Sequence, residues 1–270
     1  MAGKKRAAAS SLSRAQKQRT KRLVCWVTGS EKSPPGGDTA PTETTTGDEL
    51  TDTPTDGDSP DRDSCVRIGS IVSSNSHLDY VAEVYKERDC DRPPELHERE
   101  FGQPVFIKKT VNGTEHAVMG VIYDTQLVDP DQGRTGPRLA QDDQAQFTPG
   151  YIEERTTLAG VALLGTAEIA EDGAIQEPTH QMPRWTLEVE DTVFHCPDQV
   201  TVSFHTVDDQ IQLAYMDRLL DIAGDLGSEV IVALIDRLRG MLPEDDPNQR
   251  VLDVVEQNVQ WQAREQRGLV

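Results

Sequence analysis

The 270-residue sequence has no long hydrophobic run, since no window approaches the roughly 20 apolar residues that a membrane-spanning helix needs. Its first residues, MAGKKRAAASSLSR, also lack the apolar core of a secretory signal. Aromatic residues are scarce at 5%, and hydrophobic residues make up 36% of the chain, enough for one or two modest domains. These shortages predict a soluble, cytoplasmic protein without a membrane partner.

Cysteine is also scarce, and its spacing forms no CxxC pair. The four cysteines lie tens of positions apart, which indicates isolated thiols rather than a disulfide framework or a four-thiolate zinc site: Cys25, Cys65, Cys90 and Cys196.

Common catalytic motifs are missing as well. The sequence contains no GxxxxGK[ST], GxGxxG or GxSxG motif, and its six histidines show neither HExxH nor HxxxH spacing. His195, Cys196 and His205 come nearest to a Cys–His site, but neighbouring strand positions point to opposite faces. We therefore expect core or loop roles for them, and we predict no catalytic residue, no cofactor and no metal.

Basic charge is in short supply: 27 basic residues stand against 47 acidic ones, for a net charge of −20. After residue 65 the only lysines are Lys86, Lys108 and Lys109. Many carboxylates keep a hydrated surface soluble where salt screens charge within a few Å, so this composition is typical of a halophilic protein. An ordinary acidic protein from a low-salt cell remains the alternative.

Residues 1–65 are predicted to be a disordered tail, basic at first and then acidic. The phosphate-contact candidates in its basic part are Lys4, Lys5, Arg6, Lys21 and Arg22. Clustered basic side chains release counterions on binding nucleic acid, but the sequence favours a disordered or untranslated extension before a start at Val66. Residues 30–64 contain a single large aliphatic residue, Leu50, and are too polar to offset the entropy of ordering.

Residues 66–204 read as an all-β unit. Short apolar segments are separated by turn residues, and Asn112-Gly113 is typical of a tight hairpin turn. Closure of about six short strands removes exposed edges, so we predict a small closed β-barrel. The predicted strands are 66–73, 79–85, 104–109, 115–123, 158–169, 185–189 and, more weakly, 200–204.

Residues 205–270 change to helical periodicity and predict three helices. The first runs from Thr206 to Leu226; the second is capped by Ser228 and ended by Pro243. Asp246 caps the third, with Gln249 in the capping-box position, and Gly268 stops it. Its predicted buried face consists of Val251, Leu252, Val255 and Val259.

The connection 124–151 is the longest in the predicted barrel, and long loops often carry function. Asp124, Asp129 and Asp131 are candidate ligands for a divalent cation, although Asp-Pro and Asp-Gln-Gly are also ordinary turn formers. Arg134 and Arg138, among glycines, are candidates for an anion-binding surface or for ion pairs with nearby aspartates.

Four segments carry a resemblance to a known family: VRIGSIVSSNSHLDYVAEVY, FGQPVFIKK, HAVMGVIYDTQLVDP and VFHCPDQVTVSF. They resemble the HAS-barrel group, the β-barrel shared by HerA-type DNA translocases and rotary ATP synthase subunits. The resemblance covers residues 66–204, and the helices to residue 270 are similar to an extension of stand-alone members. The translocase ATPase is missing from this sequence, so motor activity does not carry over.

The resemblance implies a barrel used for assembly, and the sequence predicts a non-catalytic adaptor associated with HerA-like DNA processing. Its expected partners are a second copy or a ring-forming ATPase or nuclease. Two alternatives stay open. One is a metal-dependent nuclease or phosphoesterase at the aspartate loop; the other is nucleic-acid binding through the basic arm with Arg134 and Arg138.

Overall fold

A computed structural model of the chain describes residues 65–129, 155–170, 173–266 and 268. Within them are nine strands, four α-helices and 3-10 turns at Leu96–Glu98 and Gly224–Leu226. The strands are β1 (Arg67–Ser74), β2 (Asp79–Val84), β3 (Pro104–Val111), β4 (Thr114–Val128), β5 (Thr156–Ile169), β6 (Ile175–Thr179), β7 (Thr192–His195), β8 (Thr206–Val207) and β9 (Gln210–Ile211). The helices are α1 (Asp198–His205), α2 (Met216–Ala223), α3 (Gly227–Met241) and α4 (Asn248–Gln266).

Six strands form a closed antiparallel barrel, which confirms the fold predicted from the sequence. The strand order is β2-β1-β7-β3-β4-β5, and pairing of β5 with β2 closes the barrel. Strand β6 pairs with the part of β5 that β2 does not reach. The predicted strands at 66–73, 79–85, 104–109, 115–123 and 158–169 are all present as β1 to β5. Because the barrel is closed, each of its strands has a hydrogen-bonded neighbour on both sides.

The barrel interior is filled by side chains. All six barrel strands contribute to one apolar cluster, and Leu78 and Trp185 pack against it from outside. Its buried members include Ile68, Ile71, Tyr80, Val84, Val105, Ile107, Val118, Ile122, Val161, Leu163 and Val193. A small barrel packed in this way provides a rigid scaffold, and its exterior is the surface available for contacts with other molecules.

The β3–β4 hairpin turn forms where the Asn-Gly dipeptide predicted it. Val111 pairs with Thr114, and the two turn residues Asn112 and Gly113 have φ values of 52° and 85°. Glycine and asparagine adopt positive φ with the least strain, which explains the turn.

Strands β4 and β5 are longer than their neighbours. Their ladder extends from His116↔Glu168 to Val128↔Thr156, whereas pairing of β3 with β4 stops at Val121 and pairing of β2 with β5 stops at Leu158. The two strands therefore continue together beyond the rest of the sheet, and Val128 and Thr156 lie side by side at the end of this ladder.

Two strand predictions are wrong. Residues 185–189 form an irregular segment whose Trp185 ring packs on His116, with ring centroids 4.6 Å apart. Residues 200–204 belong to α1, where Val200 and Phe204, one helical turn apart, are both buried. The short strands β6 and β7 were missed by the sequence analysis.

The predicted first C-terminal helix begins ten residues later than expected, at Met216. The preceding residues form the two-stranded β8–β9 hairpin, in which Asp208 and Asp209 both have positive φ. Aspartate tolerates this conformation in turns, so an acidic pair that resembled a helix start is in fact a hairpin turn.

Helices α3 and α4 are close to their predicted extent, but three local predictions about them are wrong. Ser228 lies inside α3 rather than capping it, and Gln249 donates through Nε2 to the carbonyl oxygens of Arg239 and Pro243 instead of forming a capping box. Val251 is exposed rather than buried. Asp246 does act as predicted, since its Oδ1 accepts the Asn248 N–H at 2.9 Å.

Candidate interaction surfaces

A buried polar network joins β6, α1 and the segment leading into α2. His205 donates through Nδ1 to the Thr201 carbonyl oxygen at 2.7 Å, which leaves its Nε2 to accept the Tyr215 hydroxyl at 2.7 Å. His180 contacts the Phe204 carbonyl oxygen through Nε2 at 3.2 Å and accepts the Ala214 N–H at Nδ1. Each ring nitrogen therefore has a partner that fits a neutral imidazole.

Burial explains the electrostatics of this network. Desolvation lowers the pKa of His205 to about 3, lowers that of His180, and raises the pKa of Tyr215 well above its ordinary value. Their hydrogen bonds link the residue after β6 to α1 and to the segment before α2. Sequence spacing gave no signal for this network, because its members are 25 and 10 residues apart.

His195 is the last residue of β7, and Cys196 directly follows it. Cys196 is buried, and burial raises the pKa of its thiol to about 12, which keeps it protonated and unreactive. Desolvation lowers the pKa of the partly buried His195. His205 makes its two side-chain hydrogen bonds with Thr201 and Tyr215.

The structure does not bring the described aspartates of the predicted metal site together. Asp124 lies on β4, where its Oδ1 accepts the Thr125 N–H, whereas Asp129 follows the strand and lies 3.5 Å from the Arg155 guanidinium. Five residues of extended chain separate their Cα atoms by about 16 Å. Among the described residues, no three His, Cys, Asp or Glu side chains are grouped to hold a metal ion.

Several candidates lie outside the described residues. They are Asp131, Arg134 and Arg138 of the long connection, and Lys4, Lys5, Arg6, Lys21 and Arg22 of the tail.

The barrel loop that precedes β3 packs closely against α3. Buried Glu98 accepts from Arg92 at 2.7 Å and from the Glu95 N–H at 2.9 Å, which shapes the chain before β3. Gly102, at φ 76°, donates its N–H to the Ile122 carbonyl oxygen at 2.8 Å. A Cβ on Gly102 would lie 2.6 Å from the Cβ of Ala233 on α3, so only glycine allows this approach.

This loop, α3 and α4 enclose a groove of about 430 Å³ on the protein surface. Phe101, 37% exposed, forms one wall, and Val232, Ala233 and Ala263 provide apolar surface. Its polar side chains are Ser228, Glu229, Asp236, Gln260 and Arg264. An apolar floor with a polar rim is the usual composition of a protein-binding patch.

Arg239 of α3 links this helix to α4 through ion pairs. Its guanidinium contacts Asp236 at 2.6 Å, Asp253 at 3.1 Å and Glu256 at 2.7 Å, and the last two are on α4.

We expect Arg239→Gln to lower the free energy of unfolding by about 1 kcal/mol at low salt, because a half-exposed ion-pair network contributes modestly. The difference should shrink at about 1 M salt, where charges are screened within about 3 Å. Urea unfolding at both salt concentrations measures it, with Arg250→Gln on the exposed side of α4 as control. An equal loss for the two variants would contradict the assigned network.

A family model described as "Domain of unknown function (DUF8166)" matches residues 52–270. The chain belongs to this family. The matched segment contains the whole barrel and all four helices, so the DUF8166 domain includes the groove. A search of curated proteins found no match.

No helix within residues 65–129, 155–170 and 173–266 is both long enough and apolar enough to cross a membrane.

Proposed function

We propose that the protein is a non-catalytic assembly or adaptor protein of the cytoplasm, built on a HAS-type barrel, that binds a ring-forming ATPase or nuclease of HerA-like DNA processing. The observation that carries the proposal is the groove between the barrel loop, α3 and α4. The loop beside the groove contacts α3 twice, through the close approach of Gly102 to Ala233 and through the ion pair of Glu100 with Arg237. A preorganised surface binds a partner without a further ordering cost.

The groove fits an apolar side chain projecting from a partner helix or loop. Phe101 offers an aromatic face of the kind that concentrates binding energy at interfaces. Around it, Asp236 forms an ion pair with Arg239, and Glu229 accepts a hydrogen bond from the Ser228 hydroxyl. We therefore expect the partner segment to present an apolar anchor that packs against Phe101.

The alternative metal-dependent reaction has less support. Asp124 and Asp129 lie about 16 Å apart along the chain, whereas two-metal chemistry needs ions roughly 4 Å apart. Binding through the basic arm concerns residues outside the described part of the chain.

The test is affinity purification of the full chain after cross-linking in its native cell extract. We expect a ring-forming ATPase or a nuclease to be captured by the wild type, and its yield to fall at least tenfold with Val232→Glu, which places a charge on the groove floor. Val189→Glu is the matched control, since Val189 is 67% exposed and outside the groove.

Two results would overturn the proposal. One is equal capture by the wild type and by folded Val232→Glu protein. The other is turnover of a phosphate ester by the purified chain with Mg²⁺ or Mn²⁺ added.

A further inference from the structure

The fold brings two of the four cysteines to facing positions at one end of the barrel wall. Strand β1 begins at Arg67 and β7 ends at His195, and the two strands pair in antiparallel orientation with Arg67 opposite Phe194. In this register, two positions back from Arg67 and two positions on from Phe194, Cys65 lies opposite Cys196. The two cysteines are more than a hundred positions apart in the sequence, so their spacing gave no sign of this pairing.

The hydrogen bonds between β1 and β7 indicate that the facing cysteines form a close pair. Opposite residues on antiparallel strands alternate between hydrogen-bonded pairs and non-hydrogen-bonded pairs, and the second type is closer. His195 donates its N–H to the Val66 carbonyl oxygen at 2.9 Å, so the next pair, Cys65 with Cys196, is of the closer type. Cα atoms in such pairs are typically about 4.5 Å apart, within the range of about 4.4–6.8 Å that a disulfide needs.

The two thiols also lie on the same face of the barrel wall and interact electrostatically. Val193 belongs to the interior cluster, so Cys196, three positions later, points to the outer face, and the residue opposite it shares that face. Burial raises the pKa of the Cys196 thiol to about 12, and Cys65 adds a smaller effect of the same sign. Electrostatic effects weaken with distance, so this effect supports a short separation of the two sulfur atoms.

The two thiols differ in their access to solvent. Cys196 is 1% exposed, whereas Cys65 is partly exposed, so a dissolved oxidant reaches Cys65. Burial keeps Cys196 from reacting with dissolved reagents, but an activated sulfur held beside it is a different target. A group fixed next to its reaction partner has an effective concentration many orders of magnitude above that of a dissolved one.

We propose that Cys65 and Cys196 form a reversible disulfide, with a low-molecular-weight disulfide, RSSR, as the oxidant. The Cys65 thiolate attacks one sulfur of the oxidant, which forms a mixed disulfide on Cys65 and releases one RSH. Cys196 then loses its proton and attacks the Cys65 sulfur, which forms the protein disulfide and releases the second RSH. In total the two protein thiols lose two electrons and two protons, and the oxidant takes up both.

The disulfide joins the first and the last strand of the barrel at a short seam. Only three residue pairs connect β1 with β7, whereas eight connect β3 with β4. A covalent link here closes a loop of more than a hundred residues and restrains the unfolded chain, so oxidation should stabilise the fold. In the proposed cytoplasm thiols are kept reduced, so the bond would form only under oxidising conditions. The inference uses neither the groove nor its partner.

Incubation of the full chain with oxidised glutathione, followed by alkylation and non-reducing peptide mapping, tests this inference. We expect the main product to link the peptides that carry Cys65 and Cys196. Its yield should be equal at two protein concentrations, because both thiols belong to one chain, and dithiothreitol should reverse it. Oxidation should raise the thermal unfolding temperature by at least about 5 °C.

Cys65→Ser should fold as the wild type does, because it leaves the buried Cys196 in place, but oxidation should not raise its unfolding temperature. Cys90→Ser is the matched control, since Cys90 is also partly exposed, and it should keep the full increase. Four results would overturn the proposal: thiols that all remain reduced, a glutathione adduct that persists on Cys65, a link from either cysteine to Cys25 or Cys90, or the same temperature increase in both variants.

Discussion

Lowering the pH from about 8 to about 5 is expected to cost the folded chain about 2 kcal/mol through His205 alone. Burial lowers the pKa of His205 to about 3 in the folded state, from 6.5 when exposed. Below pH 6.5 the unfolded chain takes up a proton that the folded chain does not. The stabilisation is therefore complete above pH 6.5 and is lost progressively as the pH falls toward 3. The lowered pKa of His180 adds an effect of the same sign.

Urea unfolding across this pH range measures the slope. His205→Gln should be less stable at pH 8 but should show a flatter pH profile. If that variant does not fold, Tyr215→Phe takes its place. It removes only the hydroxyl group that donates a hydrogen bond to His205 Nε2, so the imidazole stays buried and the pH profile of stability should remain as steep as that of the wild type. His97→Gln changes an exposed imidazole and is the control. A profile for His205→Gln as steep as the wild type would refute the assignment.

Gly102→Ala should destabilise the fold by about 2–5 kcal/mol. A side chain at φ 76° costs about 1–3 kcal/mol, and overpacking costs a similar amount because the new Cβ would lie 2.6 Å from the Ala233 Cβ. The loop carrying Phe101 would have to leave α3, so binding at the groove should weaken as well. Thermal and urea unfolding give the stability, and partner capture gives the effect on the groove.

Gly113→Ala is the matched control, because Gly113 has a similar φ of 85° but open space where the Cβ would be. Its loss of stability should therefore reflect only the strain of a side chain at positive φ, without overpacking. Ala233→Gly should restore part of the stability lost in Gly102→Ala and none of that lost in Gly113→Ala. Equal losses for Gly102→Ala and Gly113→Ala would show that the contact with Ala233 is not tight.

Local chemistry made the barrel predictable. The Asn112-Gly113 turn joins β3 and β4 into a hairpin. The segment 158–169, rich in small and β-branched residues, forms most of β5, which pairs with β4 over most of its length. The errors occurred where tertiary contacts overrode the local pattern. Val200 to Phe204 alternates as a strand does, yet as a helix it buries Val200 and Phe204 together.

The surfaces were harder to predict than the fold. The groove combines Phe101 with residues of α3 and α4 more than a hundred positions later, so no local motif encodes it. The neutral histidine network depends on three separate segments meeting in the core. Val251 was assigned to the wrong face of α4 because an apolar residue beside Leu252 has the same local pattern whether it is buried or exposed.

The pairing of Val128 with Thr156 has a consequence for how this domain tolerates change. The chain leaves and re-enters the ladder at neighbouring positions, so the number of residues between them is not constrained by barrel geometry. Loop-closure entropy rises slowly with chain length, by only about 0.6 kcal/mol for each doubling. Relatives can therefore differ in length here, gaining or losing sequence at this point, while keeping the same scaffold.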